Sequence, residues 1–140
     1  MKMLDNKSKL IKLNSLCKGT MIEYLGIELT EVGNQYICGK MPVDYRTIQP
    51  LGSVHGGAFT TLAETLGSVA GSLEVDWEKQ YCVGMEINAN HLKSVEDGYV
   101  YGKATPIHIG QKTQVWEVRL TNDKNELVCI SRMTLAVLDI

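Results

Sequence analysis

One segment of the chain repeats its hydrophobic residues at the period of an α-helix. Between His55 and about Glu74, apolar side chains recur at i, i+4, i+7, i+8 and i+11 and therefore share one helix face. Glu64 and Ser68 are four residues apart and are neighbours on the opposite face. The pattern predicts an amphipathic helix with one carboxylate on its polar side. Its apolar stripe is Leu62, Leu66, Val69, Ala70 and Leu73.

After this helix, the period changes from about 3.6 residues to 2, which is typical of β-strands. Hydrophobic residues alternate with smaller or polar ones from residue 81 to 90, and this alternation predicts a half-buried strand. A polar turn at residues 122–125 joins two later strands into a hairpin. The predicted strands cover residues 81–90 (with Tyr81, Val83, Met85, Ile87 and Ala89 as the alternating apolar positions), 99–106, 113–121 and 126–138.

Two short helical segments and a strand pair precede the long helix. Thr20 and Glu23 have the spacing of a capping box, which opens a short helical turn. The predicted elements are a helix over residues 7–17, a helical turn over 20–26, strands over 27–32 and 36–43 joined by a turn at Gly33-Asn34, and a loop over 44–53.

This order of elements predicts the fold class. The last four strands are expected to pair as a meander, and helices that cover one face of an antiparallel sheet make an α+β domain. Because the long helix is nearly the only one, we expect a curved sheet of five to six strands to wrap around it. The length of 140 residues fits a single domain, residues 1–140, without a linker or an internal repeat.

Composition and charge exclude several classes of function. A net charge of −2, from 14 basic and 16 acidic residues, provides no basic surface for nucleic acid. No apolar run reaches the roughly 18 residues of a membrane span, and the first residues lack the apolar segment of a signal peptide. The four cysteines have no paired spacing, which predicts reduced thiols in a cytoplasmic protein.

The start of the long helix is a candidate site for acyl-transfer chemistry. Glycines at the mouth of a helix let a ligand approach unpaired backbone N–H groups at the positive end of the helix dipole. A thioester carbonyl can accept hydrogen bonds from Gly56 N–H and Gln49, while Glu64 attacks or activates water. The alternative is that His55-Gly56-Gly57 only forms a tight helix entry and that Glu64 is a surface residue. The residue pattern alone leaves both open.

Two other chemistries find little support. The histidines His55, His91 and His108 are far apart and show no metal-ligand spacing, so no metal site is expected. A serine hydrolase needs the serine at the third place of G-x-S-x-G, and neither Gly52-Ser53 nor Gly67-Ser68 lies in such a motif.

A long run of residues resembles the hotdog-fold acyl-CoA thioesterases. Within that family, it is similar to the subgroup that uses a glutamate and acts on aromatic acyl thioesters, including thioesterases of menaquinone and enterobactin biosynthesis. The likeness covers residues 20–138, whereas residues 1–19 match poorly and are expected to form a helical extension. The matching residues are Met41-Pro42-Val43-Asp44, Arg46-Thr47, Gln49-Pro50, Gly52, His55-Gly56-Gly57-Ala58, Leu62-Ala63-Glu64-Thr65-Leu66-Gly67-Ser68, Ala70-Gly71, Gly84-Met85-Glu86-Ile87-Asn88-Ala89, Pro106-Ile107-His108-Ile109-Gly110 and Trp116-Glu117.

The resemblance implies a role for each matching residue. Glu64 is the expected nucleophile or general base and Gly56 the oxyanion donor, with Gln49 and His55 beside the thioester and Ser68 assisting the water or the carboxylate. CoA is part of the substrate, and neither a metal nor an organic cofactor is implied. The positions expected near the acyl group or the CoA arm are Phe59, Val69, Gly84, His91, Lys93, Ser94, His108, Gly110, Gln111, Lys112 and Thr113.

Helix geometry predicts a site shared between two subunits. Gly56 and Glu64 are eight residues apart, which is roughly 12 Å of rise along a straight helix. A carbonyl oxygen about 3 Å from Gly56 N–H is therefore too far from Glu64 of the same chain. Two antiparallel helices about a twofold axis would bring the mouth of one beside the middle of the other. The resemblance further implies that two dimers form a tetramer.

The chain departs from the family pattern where the CoA arm is expected to bind. Leu92, Lys93 and Gln111 stand in place of a histidine, an arginine and a basic residue, and a lysine cannot make the two-pronged phosphate contact of an arginine. Two other functions stay open: a hotdog dehydratase, and an acyl-CoA sensor without turnover. The presence of Glu64 argues against both. The sequence leaves open which acyl group is hydrolysed and whether CoA or a carrier protein holds it.

Overall fold

The computed structural model describes residues 4–140, which form three helices and six strands. The first three residues of the predicted extension 1–19 lie outside the described residues. Among the described residues, no helix is long and apolar enough to cross a lipid bilayer. The elements are α1 (Asn6–Leu16), α2 (Met21–Tyr24), β1 (Glu28–Gly33), β2 (Tyr36–Pro42), α3 (Gly56–Leu73), β3 (Gln80–His91), β4 (Tyr99–Ile109), β5 (Thr113–Thr121) and β6 (Leu127–Asp139).

The six strands form one antiparallel sheet in the order β1-β2-β4-β5-β6-β3. The α+β prediction is confirmed, but the predicted meander of the last four strands is wrong, because β3 does not pair with β4. β3 pairs with β6 along its whole length, from Gln80 opposite Asp139 to His91 opposite Cys129. Residues 92–98 instead carry the chain across the fold to β4, which pairs with β2. β3 is therefore an edge strand of the sheet in the described part of the chain.

A β-bulge in β3 changes which face its side chains occupy. The register with β6 shifts between Gly84 and Glu86, and an inserted residue reverses the inward and outward alternation. Before the bulge, Tyr81 and Val83 are exposed, whereas after it Ile87 packs on the core. The sequence pattern suggested a single apolar face for this strand, and the bulge is why that interpretation is wrong.

The long helix α3 packs against the sheet through the predicted apolar stripe. Leu62, Leu66 and Ala70 are buried, and Val69 and Leu73 are partly buried against the same core. The opposing strands contribute the large buried side chains Trp116 and Met133. Burial of such side chains stabilises a fold by about 1.5–3 kcal/mol each, so the sheet holds α3, and the residues on its polar face, in a fixed position.

The N-terminal turns follow their sequence signals with small differences. Thr20 caps α2, since its hydroxyl accepts a hydrogen bond from Ile22 N–H. The Glu23 carboxylate accepts a hydrogen bond from Gly19 N–H at 2.7 Å, whereas a capping box would use the N–H of the cap residue Thr20 itself. The β1–β2 turn lies at residues 34–35, one residue later than predicted, because Gln35 adopts the left-handed conformation (φ 57°).

Candidate active site

The N-terminus of α3 offers a free backbone donor. His55 is the N-cap, and its Nδ1 accepts a hydrogen bond from Gly57 N–H at 2.8 Å. In the neutral ring, the proton is therefore on the exposed Nε2. Within residues 4–140, Gly56 N–H donates no hydrogen bond, as expected for the first turn of a helix. An oxyanion placed there would meet this donor and the positive end of the helix dipole.

A cavity of about 300 Å³ opens at this helix mouth. The His91 ring stacks on Phe59 with ring centroids 5.6 Å apart, which holds the imidazole over the first turn. A Cβ atom on Gly56 would lie 2.8 Å from His91 Nε2, so only glycine leaves room for the ring here. The cavity is lined by Gln49, Ser53, Val54, Gly56, Phe59, His91, Leu92, Lys93 and Ser94.

The Gln49 side chain is held in one orientation by its own loop. Its Oε1 accepts a hydrogen bond from Leu51 N–H at 2.7 Å, and its Nε2 donates to Ser53 Oγ at 2.9 Å. An amide NH₂ group has two hydrogens, so the second N–H remains available to the cavity. Ser53 was not among the residues predicted from sequence. Its position four residues after Gln49 in an irregular loop carries no periodic signal.

Glu64 lies two turns further along α3 and does not line the cavity at the helix mouth. Its carboxylate is half-buried, and burial raises its pKa above the ordinary value for glutamate, while the Ser68 hydrogen bond opposes that shift. The Ser68 hydroxyl donates to Glu64 Oε1 at 3.3 Å. Gly84 of β3 faces the carboxylate, and a Cβ atom there would lie 2.8 Å from Oε1. Glu64, Ser68 and Gly84 thus form a second cluster. Val69 and Ser68 together line an apolar cavity next to it.

The predicted CoA residues at 108–113 form a third cluster, near the C-terminal end of α3. Gly110, Gln111 and Lys112 line a separate cavity of about 560 Å³ that also includes Glu74. Gly110 N–H donates to Thr113 C=O at 2.9 Å and closes the turn between β4 and β5. The exposed His108 lies against this turn. Within one chain, these residues do not meet the helix mouth.

Both lysines predicted to hold CoA phosphates are ion-paired. Lys93 Nζ lies 2.8 Å from Glu126, and this ammonium holds the pKa of Glu126 below its ordinary value. Lys112 Nζ lies 2.9 Å from Asp139. Both pairs are exposed to solvent, which screens them, so a phosphate can compete for the ammonium. Among residues 4–140, no group of three metal-ligating side chains lies close enough to bind a metal ion.

Comparisons with known proteins agree with this geometry. A sequence profile described as "Thioesterase superfamily" matches residues 51–129. The 1,4-dihydroxy-2-naphthoyl-CoA hydrolase of Escherichia coli (strain K12) is 45% identical over 132 residues, which are 94% of this chain and 96% of that protein. The proofreading thioesterase EntH of Cronobacter turicensis is 44% identical over 126 residues, which are 90% of this chain and 91% of that protein.

Solved structures show the same fold. A thioesterase from Haemophilus influenzae superposes with a TM-score of 0.90 at 47% identity, covering 93% of this chain and 90% of that one. A mutant thioesterase from Pseudomonas aeruginosa superposes with a TM-score of 0.93 at 42% identity, covering 99% and 96%. The fold, the profile and these relatives lead to one conclusion: the chain belongs to the thioesterase superfamily and is a hotdog-fold enzyme that hydrolyses thioesters.

Proposed function

We propose that the enzyme hydrolyses an acyl-CoA thioester with an aromatic acyl group, giving the free acid and CoA, with Glu64 as nucleophile or general base. One observation carries thioester hydrolysis: the half-buried Glu64 carboxylate and a backbone donor without a partner in residues 4–140, Gly56 N–H, belong to the same helix. Thioester hydrolysis needs a group that attacks or activates water and a donor for the developing oxyanion. The chain supplies both without a metal or an organic cofactor.

The oxyanion would bind at the helix mouth. Gly56 N–H and the second N–H of Gln49 border the same cavity, and Ser53 fixes the amide of Gln49. His55 precedes Gly56 and is exposed, but it does not line this cavity. Its expected place beside the thioester therefore stays a prediction. Loss of one oxyanion donor typically slows a reaction by about 100- to 1,000-fold.

Glu64 fits either of two chemical routes. As a nucleophile, its carboxylate adds to the thioester carbon, CoA leaves as the thiolate, and water then hydrolyses the resulting anhydride. As a general base, it takes a proton from water as that water attacks the carbonyl. Both routes need the ionised carboxylate, and partial burial strengthens it as a base because burial raises its pKa. The Ser68 hydroxyl can orient the carboxylate or the attacking water.

We propose that two copies share each active site. The eight-residue separation of Gly56 and Glu64 is roughly 12 Å along one helix, and the cavity at the mouth contains no carboxylate of its own chain. β3, 12 residues long, forms one edge of the sheet, and its side chains Tyr81, Val83 and Met85 are exposed. Long edge strands with apolar side chains pair readily with another chain. An isologous dimer, and a dimer of dimers, would cover these surfaces.

The same arrangement accounts for the separated CoA residues. His91, Lys93 and Ser94 border the helix mouth, whereas the segment 108–113 lies at the far end of α3. In an antiparallel pair of helices, the far end of one helix lies beyond the mouth of the other. We therefore propose that the CoA arm runs from the mouth in one subunit toward residues 108–113 of a second copy.

Subunit mixing tests the shared site. Glu64→Ala and Gly56→Pro remove different halves of the proposed machinery, and each variant alone should be inactive. When the two are mixed under conditions that exchange subunits, each heterodimer contains one intact site, so activity should return. Each variant exchanged with itself is the control. Absence of activity after exchange has been proven by mass spectrometry refutes the shared geometry.

A hydrolysis panel tests the substrate class. Benzoyl-, naphthoyl-, octanoyl- and palmitoyl-CoA are compared by thiol release, with Glu64→Gln as the background control. Aromatic substrates should have the highest kcat/KM, a proposal supported by the relative whose name specifies 1,4-dihydroxy-2-naphthoyl-CoA. A preference for palmitoyl-CoA would refute the aromatic assignment but not thioester hydrolysis. Tight binding without thiol release would instead indicate a sensor. The cytoplasmic location expected from the cysteine pattern stays a prediction.

A further inference from the structure

Thr47 is a polar residue in the interior of the protein, although it takes no part in the chemistry proposed above. The residue is only 1% exposed, and it does not line the cavity at the helix mouth. Burial of a hydroxyl group is unfavourable unless its hydrogen bonds are satisfied. A buried hydroxyl at this position therefore depends on specific partners.

The Thr47 hydroxyl ties the loop after β2 to the end of that strand. Its Oγ1 donates to Pro42 C=O at 2.8 Å and accepts a hydrogen bond from Asp44 N–H at 3.1 Å. Asp44 C=O is a longer second acceptor at 3.2 Å. Asp44 is itself fixed, because its carboxylate accepts from the Arg46 guanidinium, which also donates to Tyr24 C=O at 2.9 Å. The loop thus begins in a frame formed by β2 and the end of α2.

The main chain of Thr47 holds the entry of α3. Its C=O accepts a hydrogen bond from His55 N–H at 2.8 Å, and His55 is the N-cap that directly precedes Gly56. One step further into the loop, Ile48 and Val54 form an antiparallel bridge. Thr47 and His55 therefore form the base of a closed loop.

Both proposed oxyanion donors extend from this base. Gln49 follows Thr47 by two residues, and its main-chain N–H donates to Ser53 C=O at 2.8 Å. Gly56 follows His55 directly and lines the same cavity as Gln49. A shift of the base therefore moves the two donors relative to each other. Because oxyanion stabilisation needs donors preorganised at about 2.7–3.1 Å from the developing charge, such a shift lowers the rate.

We infer that Thr47 is a positioning residue for thioester hydrolysis, because its hydroxyl anchors the loop that places Gln49 and Gly56 N–H relative to each other. The inference rests on the proposed function, in which these two groups are the oxyanion donors. Since Thr47 is buried and does not line the cavity, it acts through the donors and not by contact with substrate. Loss of its hydroxyl should therefore lower kcat more than it raises KM, because the donors act on charge that develops in the transition state.

Thr47→Val and Thr47→Ser separate the hydroxyl from the shape of the side chain. Thr47→Val keeps the shape but removes both hydrogen bonds. For benzoyl-, naphthoyl- and octanoyl-CoA, its kcat should fall by about 10- to 100-fold, while KM changes by less than about 3-fold. Thr47→Ser keeps the hydroxyl and should retain most of the wild-type kcat. Wild-type kcat in Thr47→Val overturns the inference, as does an equal loss in Thr47→Ser.

Asn14→Ala controls for a general loss of stability. The Asn14 side chain also bridges two main-chain groups, since its Nδ2 donates to Leu29 C=O at 2.8 Å and its Oδ1 accepts from Leu29 N–H at 3.0 Å. It joins α1 to β1 and lines a different cavity from the one at the helix mouth. Below the thermal midpoints of all variants, Asn14→Ala should keep the wild-type kcat although its midpoint falls. A loss of kcat equal to that in Thr47→Val overturns the inference, because the rate then follows stability alone.

A double-variant cycle tests whether Thr47 acts through Gln49. In the Gln49→Ala background, one of the donors that Thr47 positions is already lost. Thr47→Val should therefore lower kcat by a smaller factor in that background than in the wild type. An equal factor in both backgrounds overturns the inference.

Hydrogen exchange of the free enzyme separates this inference from the proposed function. Mass spectrometry reports the protection of the amides at residues 47–56 whether or not acyl-CoA is cleaved. Thr47→Val should accelerate exchange in this segment, whereas Thr47→Ser and Asn14→Ala should leave it unchanged. Unchanged exchange in Thr47→Val overturns the inference even in an active thioesterase. A wild type that cleaves no acyl-CoA overturns the proposed function and with it the catalytic role of Thr47, while exchange still shows whether the hydroxyl holds the loop.

Discussion

Replacement of Gly84 by alanine should slow thioester hydrolysis without weakening the fold. A Cβ atom at this position would lie 2.8 Å from Glu64 Oε1, whereas ordinary contact begins at 3.4 Å. The carboxylate therefore has to recede by about 0.6 Å to regain ordinary contact. A displacement of about 1 Å at a reacting group can cost roughly 100-fold in rate. We expect kcat to fall by about 10- to 100-fold.

The stability of the same variant should change little. Gly84 is not among the residues with positive φ, so alanine fits its backbone, and such a substitution stabilises a protein by about 0.4–1 kcal/mol through the unfolded chain. Moving Glu64 away from its preferred rotamer costs about 0.5–1.5 kcal/mol. The two effects nearly offset each other, and the net change in the free energy of unfolding should stay within about 1 kcal/mol.

Steady-state kinetics and calorimetry on one preparation test both parts. Thiol release gives kcat and KM, and the thermal midpoint reports stability. Thr30→Ala is the control, because Thr30 is an exposed residue of β1, at the opposite edge of the sheet from β3. It should leave kcat unchanged. Wild-type kcat in Gly84→Ala would refute the argument that this contact positions the carboxylate, as would a loss of kcat matched by a collapse of the thermal midpoint.

Three further predictions concern the chemistry of the site. Glu64→Gln should lower kcat by about 100- to 10,000-fold. In the wild type, kcat should begin to fall with decreasing pH above the ordinary pKa of glutamate, because burial raises the pKa of Glu64. A carboxyl group whose pKa is raised by burial destabilises the folded state wherever it is ionised. Glu64→Gln should therefore raise the thermal midpoint at neutral pH and lose that advantage below about pH 4.3, where glutamate is protonated in the unfolded chain as well. A difference in thermal midpoint that does not depend on pH would contradict this. Ser53→Ala removes the hydrogen bond that holds Gln49 and should lower kcat by about 2- to 10-fold. Ser15→Ala, at an exposed position of α1 outside this cavity, is the control. An unchanged rate in Ser53→Ala would rule out a positioning role. EDTA should leave activity unchanged, and a loss that added metal restores would contradict the expectation that the enzyme needs no metal.

Local patterns predicted the elements of this fold to within a few residues at each end. The stripe of Leu62, Leu66 and Ala70 is buried as its spacing requires, because burial of a helix face follows from the sequence within the helix itself. The pairing of β3 with β6 was not predictable in that way, since it joins residues about 50 positions apart. The bulge at Gly84 leaves the alternation of residue types unchanged, so nothing in the pattern shows where the strand changes face.

The candidate site likewise combines contacts that follow from the local sequence with contacts that depend on the whole fold. The Glu64–Ser68 contact was predictable from helical spacing, and the structure contains it. The contacts of His91 with Phe59 and Gly56 were not predictable from spacing, because they depend on where the end of β3 crosses the helix mouth. A family resemblance could group these residues by analogy, but only coordinates show that the predicted site falls into three clusters within one chain.

The edge strand β3 meets three separate demands, and this explains why its sequence fits no single pattern. Gly84 has no side chain, which leaves space for the Glu64 carboxylate. His91 ends the strand at the helix mouth, where its ring covers Gly56. Tyr81 and Val83 remain exposed on the outer face, where a strand that served only the core of its own chain would carry polar residues. An exposed apolar edge is a liability for a monomer, and its presence in the strand that borders Glu64 supports the proposal that the catalytic unit is a pair of subunits.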